Sequence, residues 1–177
     1  IIDFITYASH GNATDFGDDT VTRLNYGSAE SPTRGLFAGG YSPSNQDVIS
    51  YITIASAGNA TDFGDLSASA RGQTGTSSVT RALFAGGNNP GKLDVIEYVT
   101  IATTGDVTDF GNLTAGTTAP EGASNKVKGI FAGGNDGSVT NTINDVTIAS
   151  TGNATDYGDL TVARSQHGGS SNGHGGL

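Results

Sequence analysis

One phrase returns four times along this chain at a fixed step, and that periodicity limits the fold more tightly than any other feature of the sequence. YITIASAGNATDFGDL at residues 51–66 has counterparts in FITYASHGNATDFGDD (4–19), YVTIATTGDVTDFGNL (98–113) and DVTIASTGNATDYGDL (145–160). Asp15, Asp62, Asp109 and Asp156 mark the copies, each 47 residues after the last. A second block keeps the same step: Phe37-Ala38-Gly39-Gly40, Phe84-Ala85-Gly86-Gly87 and Phe131-Ala132-Gly133-Gly134. A chain built this way folds unit against unit, and residues 1–177 read as a single repeat domain of about 3.8 units.

Within a unit the signals are those of short strands. Residues 2–8 alternate apolar and polar side chains with β-branched and aromatic enrichment. Gly11-Asn12 tolerates positive φ and predicts a tight hairpin turn into residues 13–18. A third short strand is expected within residues 21–31, and a fourth over residues 35–38, closed by Gly39-Gly40. No helical periodicity is present. Four short strands at a period in the forties is the signature of propeller blades, whereas solenoid coils repeat at about half that length or less. The expected fold is all-β, a β-propeller of four-stranded blades, with a β-solenoid or an intertwined fibre as the alternative. The phase of the ends adds an expectation. Leu177 aligns with Leu36 and Ile1 with Val48, so the 11 positions matching residues 37–47 are missing from a fourth full copy. An incomplete blade, or one completed between chains, is expected there, and with no Met the chain reads as part of a longer protein.

Composition narrows the partners. Eight Lys plus Arg against 17 Asp plus Glu give a net charge of −9 with no basic cluster, a surface that repels nucleic acid and anionic membranes. No apolar run approaches the ~20 residues of a membrane-spanning helix. Without Cys there is neither disulfide nor thiol chemistry, and without Trp the large core contacts fall to Phe and Tyr.

The repeated residues invite a chemical reading and mostly decline it. Phe16, Phe63, Phe110 and Tyr157 are expected to anchor contacts between neighbouring sheets, together with Phe37, Phe84 and Phe131. Gly-Gly after the latter three fits either backbone crowding or positive φ. Asp15-Phe16-Gly17 matches a kinase metal-binding trio in letters only, with no phosphate-binding loop or catalytic loop to accompany it. Asn12, Asp15 and Asp18 could offer oxygens to calcium, but no known calcium-loop pattern is met. The favoured reading is structural: Asp15, Asp62, Asp109 and Asp156 cap turns or pair with Arg34, Arg81 or Lys128. His167 and His174 in the Gly/Ser-rich tail are a weak metal signal, and Asn12, Asn59, Asn112 and Asn153 open formal glycosylation sequons. No nucleophile, base and orienting group assemble into a catalytic set, so neither an enzyme, a cofactor nor a metal is expected.

Phe-Ala-Gly-Gly, a loop, Asp-Val-Ile-x-Tyr, Asp-Phe-Gly-Asp-Leu and then an Arg-containing strand resemble a degenerate kelch repeat, with Phe63 where kelch usually has Trp. More closely, the repeated phrase resembles the kelch-like repeats of virion structural proteins of marine phages, cyanophages especially. The ending Ser171-Asn172-Gly173-His174-Gly175-Gly176-Leu177 looks like theirs. That resemblance implies a non-enzymatic virion component in a fibre, appendage or capsid decoration, with other virion proteins or further copies of itself as partners and a homo-oligomeric state. Strands are nearly identical between copies while loops 41–46, 88–93 and 135–142 differ, and divergent loops on a repeated scaffold are where binding is usually placed. Tyr41, Asn45, Asn88, Asn89, Lys92, Asn135 and Asp136 are therefore the candidate contacts to a host-surface glycan. A cellular kelch-type interaction protein, or a secreted glycan-active propeller enzyme, is the alternative.

Overall fold

The computed structural model describes residues 1–170. Those residues form no helix; thirteen strands make three antiparallel sheets. β1 (Ile2–Phe4) pairs only with β2 (Thr14–Gly17). A seven-stranded sheet follows in sequence order: β3 (Gly27–Glu30), β4 (Arg34–Ala38), β5 (Gln46–Thr53), β6 (Thr61–Ser77), β7 (Arg81–Asn88), β8 (Val95–Thr100) and β9 (Thr108–Asn112). β10 (Glu121–Ser124), β11 (Lys128–Ala132), β12 (Thr142–Thr147) and β13 (Thr155–Asp159) form the third.

The seven strands are two four-stranded meanders sharing β6. Its first half pairs with β5, through Val48↔Asp65 and Tyr51↔Thr61, and its second half with β7, through Gln73↔Gly86 and Gly75↔Phe84. The corresponding links between β2 and β3 and between β9 and β10 leave the strand; in the second, Pro120 stands where β6 has Gln73, has no N–H to give to a ladder, and immediately precedes β10. Each β5-type strand meets its partner across a bulge: Ile49 faces Gly64 while Ser50 faces Asp62, leaving Phe63 as the extra residue, and the same shift recurs at Ile96/Glu97 and Ile143/Asn144. The Asp-Phe-Gly trio is thus a device for turning an aromatic ring out of the pleat.

The core lies between successive four-stranded units. Leu36, Ile49 and Phe63 pack against Phe84, Val99 and Ile101, and one step on Leu83, Ile96 and Phe110 pack against Phe131, Val146 and Ile148. β7 is buried on both faces from Ala82 to Gly87, which is why its sequence is a continuous run of apolar and Gly residues rather than an alternation. Phe4, Tyr51 and Tyr98 meet Phe16, Phe63 and Phe110 edge to face at 6.0, 5.7 and 6.0 Å.

Three expectations need correction. The stretch around Gly11-Asn12 is no tight turn, since nine residues separate β1 from β2 and seven separate each later pair. The three later loops reach the preceding unit with their N–H groups. Gly58, Gly105 and Gly152 donate to the carbonyls of Phe16, Phe63 and Phe110, each at 2.7 Å. Tyr157 is not a buried anchor: it is 65% exposed where Phe16, Phe63 and Phe110 are 8, 2 and 2%. Nor do the repeat aspartates pair with the basic residue. Arg34 and Arg81 donate to the carbonyls of Ile101 and Ile148 and lie over the rings of Tyr51 and Tyr98, and Lys128 pairs with Asp145. Asp15, Asp62 and Asp109 are exposed, and only Asp156 caps, accepting from the Gly158 N–H at 2.9 Å.

Candidate functional site

The variable loops rise from the double glycines. At Gly39, Gly86 and Gly133 φ is +63, +71 and +65°, and a Cβ would lie 2.8, 2.6 and 2.5 Å from the carbonyl oxygens of Ala70, Thr117 and Arg164. Both reasons for glycine therefore apply at once. The next residue's N–H bonds the same carbonyl in each copy, at 2.8 Å.

Beyond the glycines the loops differ in sequence but not in course. Tyr41 bridges Asn45, Asn88 bridges Lys92 and Asn135 bridges Val139, and in each a one-residue-wide turn closes: Ser42 N–H to Ser44, Asn89 to Gly91, Asp136 to Ser138. The loops also hold each other. Asn45 Nδ2 donates to the Asn88 carbonyl at 2.9 Å, and Lys92 Nζ to Asn135 Oδ1 at 2.5 Å. Of the seven candidate contacts, Asn45, Asn88, Lys92 and Asn135 are thus engaged within the row, and Tyr41 is half-buried with the Arg71 guanidinium over its ring at 4.9 Å. One face of that ring is thus taken by Arg71. Asn89 and Asp136 remain as exposed tips, beside Pro43 and Ser44 of the first loop.

Next to this row opens a cleft of about 1700 Å³. Its floor is made by β3, the second half of β6, and β10, equivalent strands that approach through glycine: a Cβ on Gly75 would lie 2.0 Å from the Ser28 oxygen, and one on Gly122 2.2 Å from that of Gly75. Equivalent serines join them, with Ser124 Oγ donating to the Ser77 carbonyl at 2.7 Å. A ladder of backbone bonds runs beside them: Gly72 N–H to Asn25, Ala119 to Gly72 and Gln166 to Ala119, at 2.7, 2.6 and 3.3 Å. Ile2 and Asp3 of β1 and residues 165–167 also line it. Gln73 Oε1, Thr76 Oγ1, Thr117 Oγ1 and His167 Nδ1 are buried without protein partners.

Sequence reasoning missed the most buried charges. Arg23, its side chain 1% exposed, bonds Asp19 Oδ2 at 2.9 Å, Ser50 Oγ, and the carbonyls of Phe37, Gly39 and Val48. Burial pushes the Asp19 carboxyl up, but hydrogen bonds from Arg23 and Ser50 outweigh that and hold it below the usual range. The signal was a break in the repeat, because the other copies carry Leu66, Leu113 and Leu160 at the Asp19 position. At the Ser50 position stand Glu97 and Asn144. Glu97 accepts from the Ser67 N–H, and burial raises its carboxyl above the ordinary value. Lys128 and Thr155 bond Asp145 and lower its carboxyl.

Among the described residues no three His, Cys, Asp or Glu side chains converge as metal ligands; Asn12, Asp15 and Asp18 are exposed, and His174 lies outside the described residues. The sequon residues Asn59 and Asn153 are engaged, their Oδ1 atoms accepting from the N–H groups of Asp18 and Asn112 at 3.0 Å. No helix of the described residues is long and apolar enough to cross a membrane. No family model matches the chain, and no curated protein matches it.

Proposed function

We propose that the chain is a run of kelch-like β-propeller blades serving a non-enzymatic, structural role in a phage virion, as part of a fibre, appendage or capsid decoration. The observation that carries this reading is the use to which the repeat is put. Residues recurring at the 47-residue step join one unit to the next, and the exposed tips Pro43-Ser44, Asn89 and Asp136 stand where the copies differ. β6 follows the route a propeller chain takes, from the outer strand of one blade to the inner strand of the next. Likeness of the repeated phrase to kelch-like virion proteins supplies the setting. A host-surface glycan or a neighbouring virion protein would meet Asn89, Asp136 and the Pro43-Ser44 tip, which present polar groups on a braced backbone. The net charge of −9 disfavours nucleic acid and anionic lipid as ligands.

Mass spectrometry and cryo-electron microscopy of purified particles test both parts. The chain should be present at fixed stoichiometry, with density for four-stranded blades around an axis. Particles free of the chain overturn the virion role, and units stacked along a line overturn the propeller.

A further inference from the structure

Three times among the described residues, one repeat unit docks on the one before it by the same contacts, from β1–β2 through the two meanders that share β6 to β10–β13, and each side of that contact occurs once more without a mate among those residues. On the receiving side, the Phe16, Phe63 and Phe110 carbonyls accept from Gly58, Gly105 and Gly152, and the Asp18, Asp65 and Asn112 N–H groups donate to the side chains of Asn59, Asp106 and Asn153 at 3.0, 3.1 and 3.0 Å. The fit is close: a Cβ on Gly17, Gly64 or Gly111 would lie 2.4 Å from the incoming loop's backbone oxygen. On the third sheet the same edge is Tyr157-Gly158-Asp159. Tyr157 is 65% exposed there, and a Cβ on Gly158 would meet nothing within 4 Å. Ile130 and Ile143, at the register of the fully buried Leu83 and Ile96, are only half-buried.

The incoming side is spare at the other end. Ile5 and Tyr7 occupy the positions of Val99 and Ile101, which are 3 and 2% exposed inside the core, yet Ile5 is 58% and Tyr7 99% exposed. Gly11 and Asn12, equivalent to Gly58 and Asn59, are exposed as well. An apolar patch and its polar edge are thus present in one molecule as two separated, complementary halves.

We propose that the occupant of the Tyr157 edge is the Ile5–Asn12 segment of a second copy of this chain, so that copies associate head to tail. In that contact Gly11 N–H donates to the Tyr157 carbonyl, Asn12 Oδ1 accepts from the Asp159 N–H, and Ile5 and Tyr7 cover Ile130, Ile143 and Tyr157. The contact is heterologous, with different surfaces on the two copies. It rests on the internal repeat and not on the virion role, so particles lacking the chain would leave it standing.

Sedimentation velocity over a wide concentration range tests it on the 177-residue chain, with circular dichroism to confirm folding of each variant. The native chain should associate. Ile5→Asp combined with Asn12→Arg blocks the incoming side, Tyr157→Asp blocks the receiving side, and each alone should stay monomeric, these positions being exposed. Mixed, the two variants should form a complex of two chains and no larger species, since one intact half remains on each. Asn12→Asp should associate like the native chain, because Asp106 already serves in that position. A native chain that is monomeric at every concentration, blocked variants that assemble as it does, or a mixture that forms no complex overturns the proposal.

Discussion

Gly64 and Gly158 form a matched pair for measuring what sheet-to-sheet docking contributes. Both follow the aromatic residue of the repeat, and both have strongly positive φ, +148 and +139°. Alanine at either position therefore carries a similar conformational cost, about 1–3 kcal/mol. They differ in what the new methyl group meets. At Gly64 it would lie 2.4 Å from the Gly105 carbonyl carbon and oxygen and 2.8 Å from the Asp106 nitrogen, backbone atoms that cannot rotate away. At Gly158 it meets nothing within 4 Å. Forcing the loop of residues 101–107 off its seat adds an overpacking cost of about 1–3 kcal/mol, and the Gly105 N–H to Phe63 bond of 2.7 Å lengthens with it. For a domain of this size about 2–4 °C accompany each kcal/mol, so Gly64→Ala should melt about 2–12 °C below Gly158→Ala. Calorimetry at a concentration too low for association reads the difference. Equal melting temperatures would refute the claim that the docked loop is held by backbone contact, whatever the shared conformational cost proves to be.

The aromatic positions give a second contrast: Phe84→Ala, at 2% exposure, should lower the unfolding free energy in urea by about 3–5 kcal/mol, and Tyr157→Ala should change that of the isolated chain by less than about 0.5 kcal/mol. Asp19→Asn deprives the buried Arg23 of its counter-charge and should cost about 3–5 kcal/mol at pH 7. Because the folded-state pKa of Asp19 lies below its unfolded value, that stabilisation is complete above the unfolded value and is lost as pH falls through the folded one, so thermal scans in acid should show the gap to the native chain narrowing. Glu97 has the opposite sign. Its raised folded-state pKa means that the folded state is disfavoured as pH rises through it; Glu97→Gln, which can still accept from Ser67, should melt above the native chain at pH 7 and level with it below the ordinary 4.5.

How far the sequence could be read depended on where each constraint resides. Strand content and the 47-residue step were legible because every copy repeats the same alternation, and the position of β4 followed from Gly35 to Ala38 bounded by Pro32 and Gly39-Gly40. The Gly11-Asn12 turn was misread because local propensity cannot tell a glycine that turns its own chain from one in a longer loop such as Gly58, its equivalent one repeat on, whose N–H bonds the neighbouring unit. The partner of Arg34 was missed for a related reason: it is the Ile101 carbonyl, 67 residues away, and carbonyls carry no signature in the sequence. Loop variation at Tyr41, Asn88 and Lys92 suggested free binding groups, but variation had been accommodated by pairs such as Lys92 with Asn135 that hold the row together. The Asp19–Arg23–Ser50 cluster was visible as a departure from the repeat, and only the fold reveals that Asp19, where other copies carry leucine, is bonded to the buried Arg23 and to Ser50.

The shared strand β6 has a consequence for how the molecule comes apart. Its 17 residues belong to two meanders at once, so neither can be peeled away without breaking a ladder of the other, and both should lose amide-exchange protection in one concerted opening. Between β2 and β3, and again between β9 and β10, the chain leaves the ladder, so β1–β2 and β10–β13 stay attached through side-chain packing and a few backbone bonds. The two-stranded β1–β2 sheet is the weak end of the molecule, the place where slow exchange first turns fast and where a protease should find its first cut.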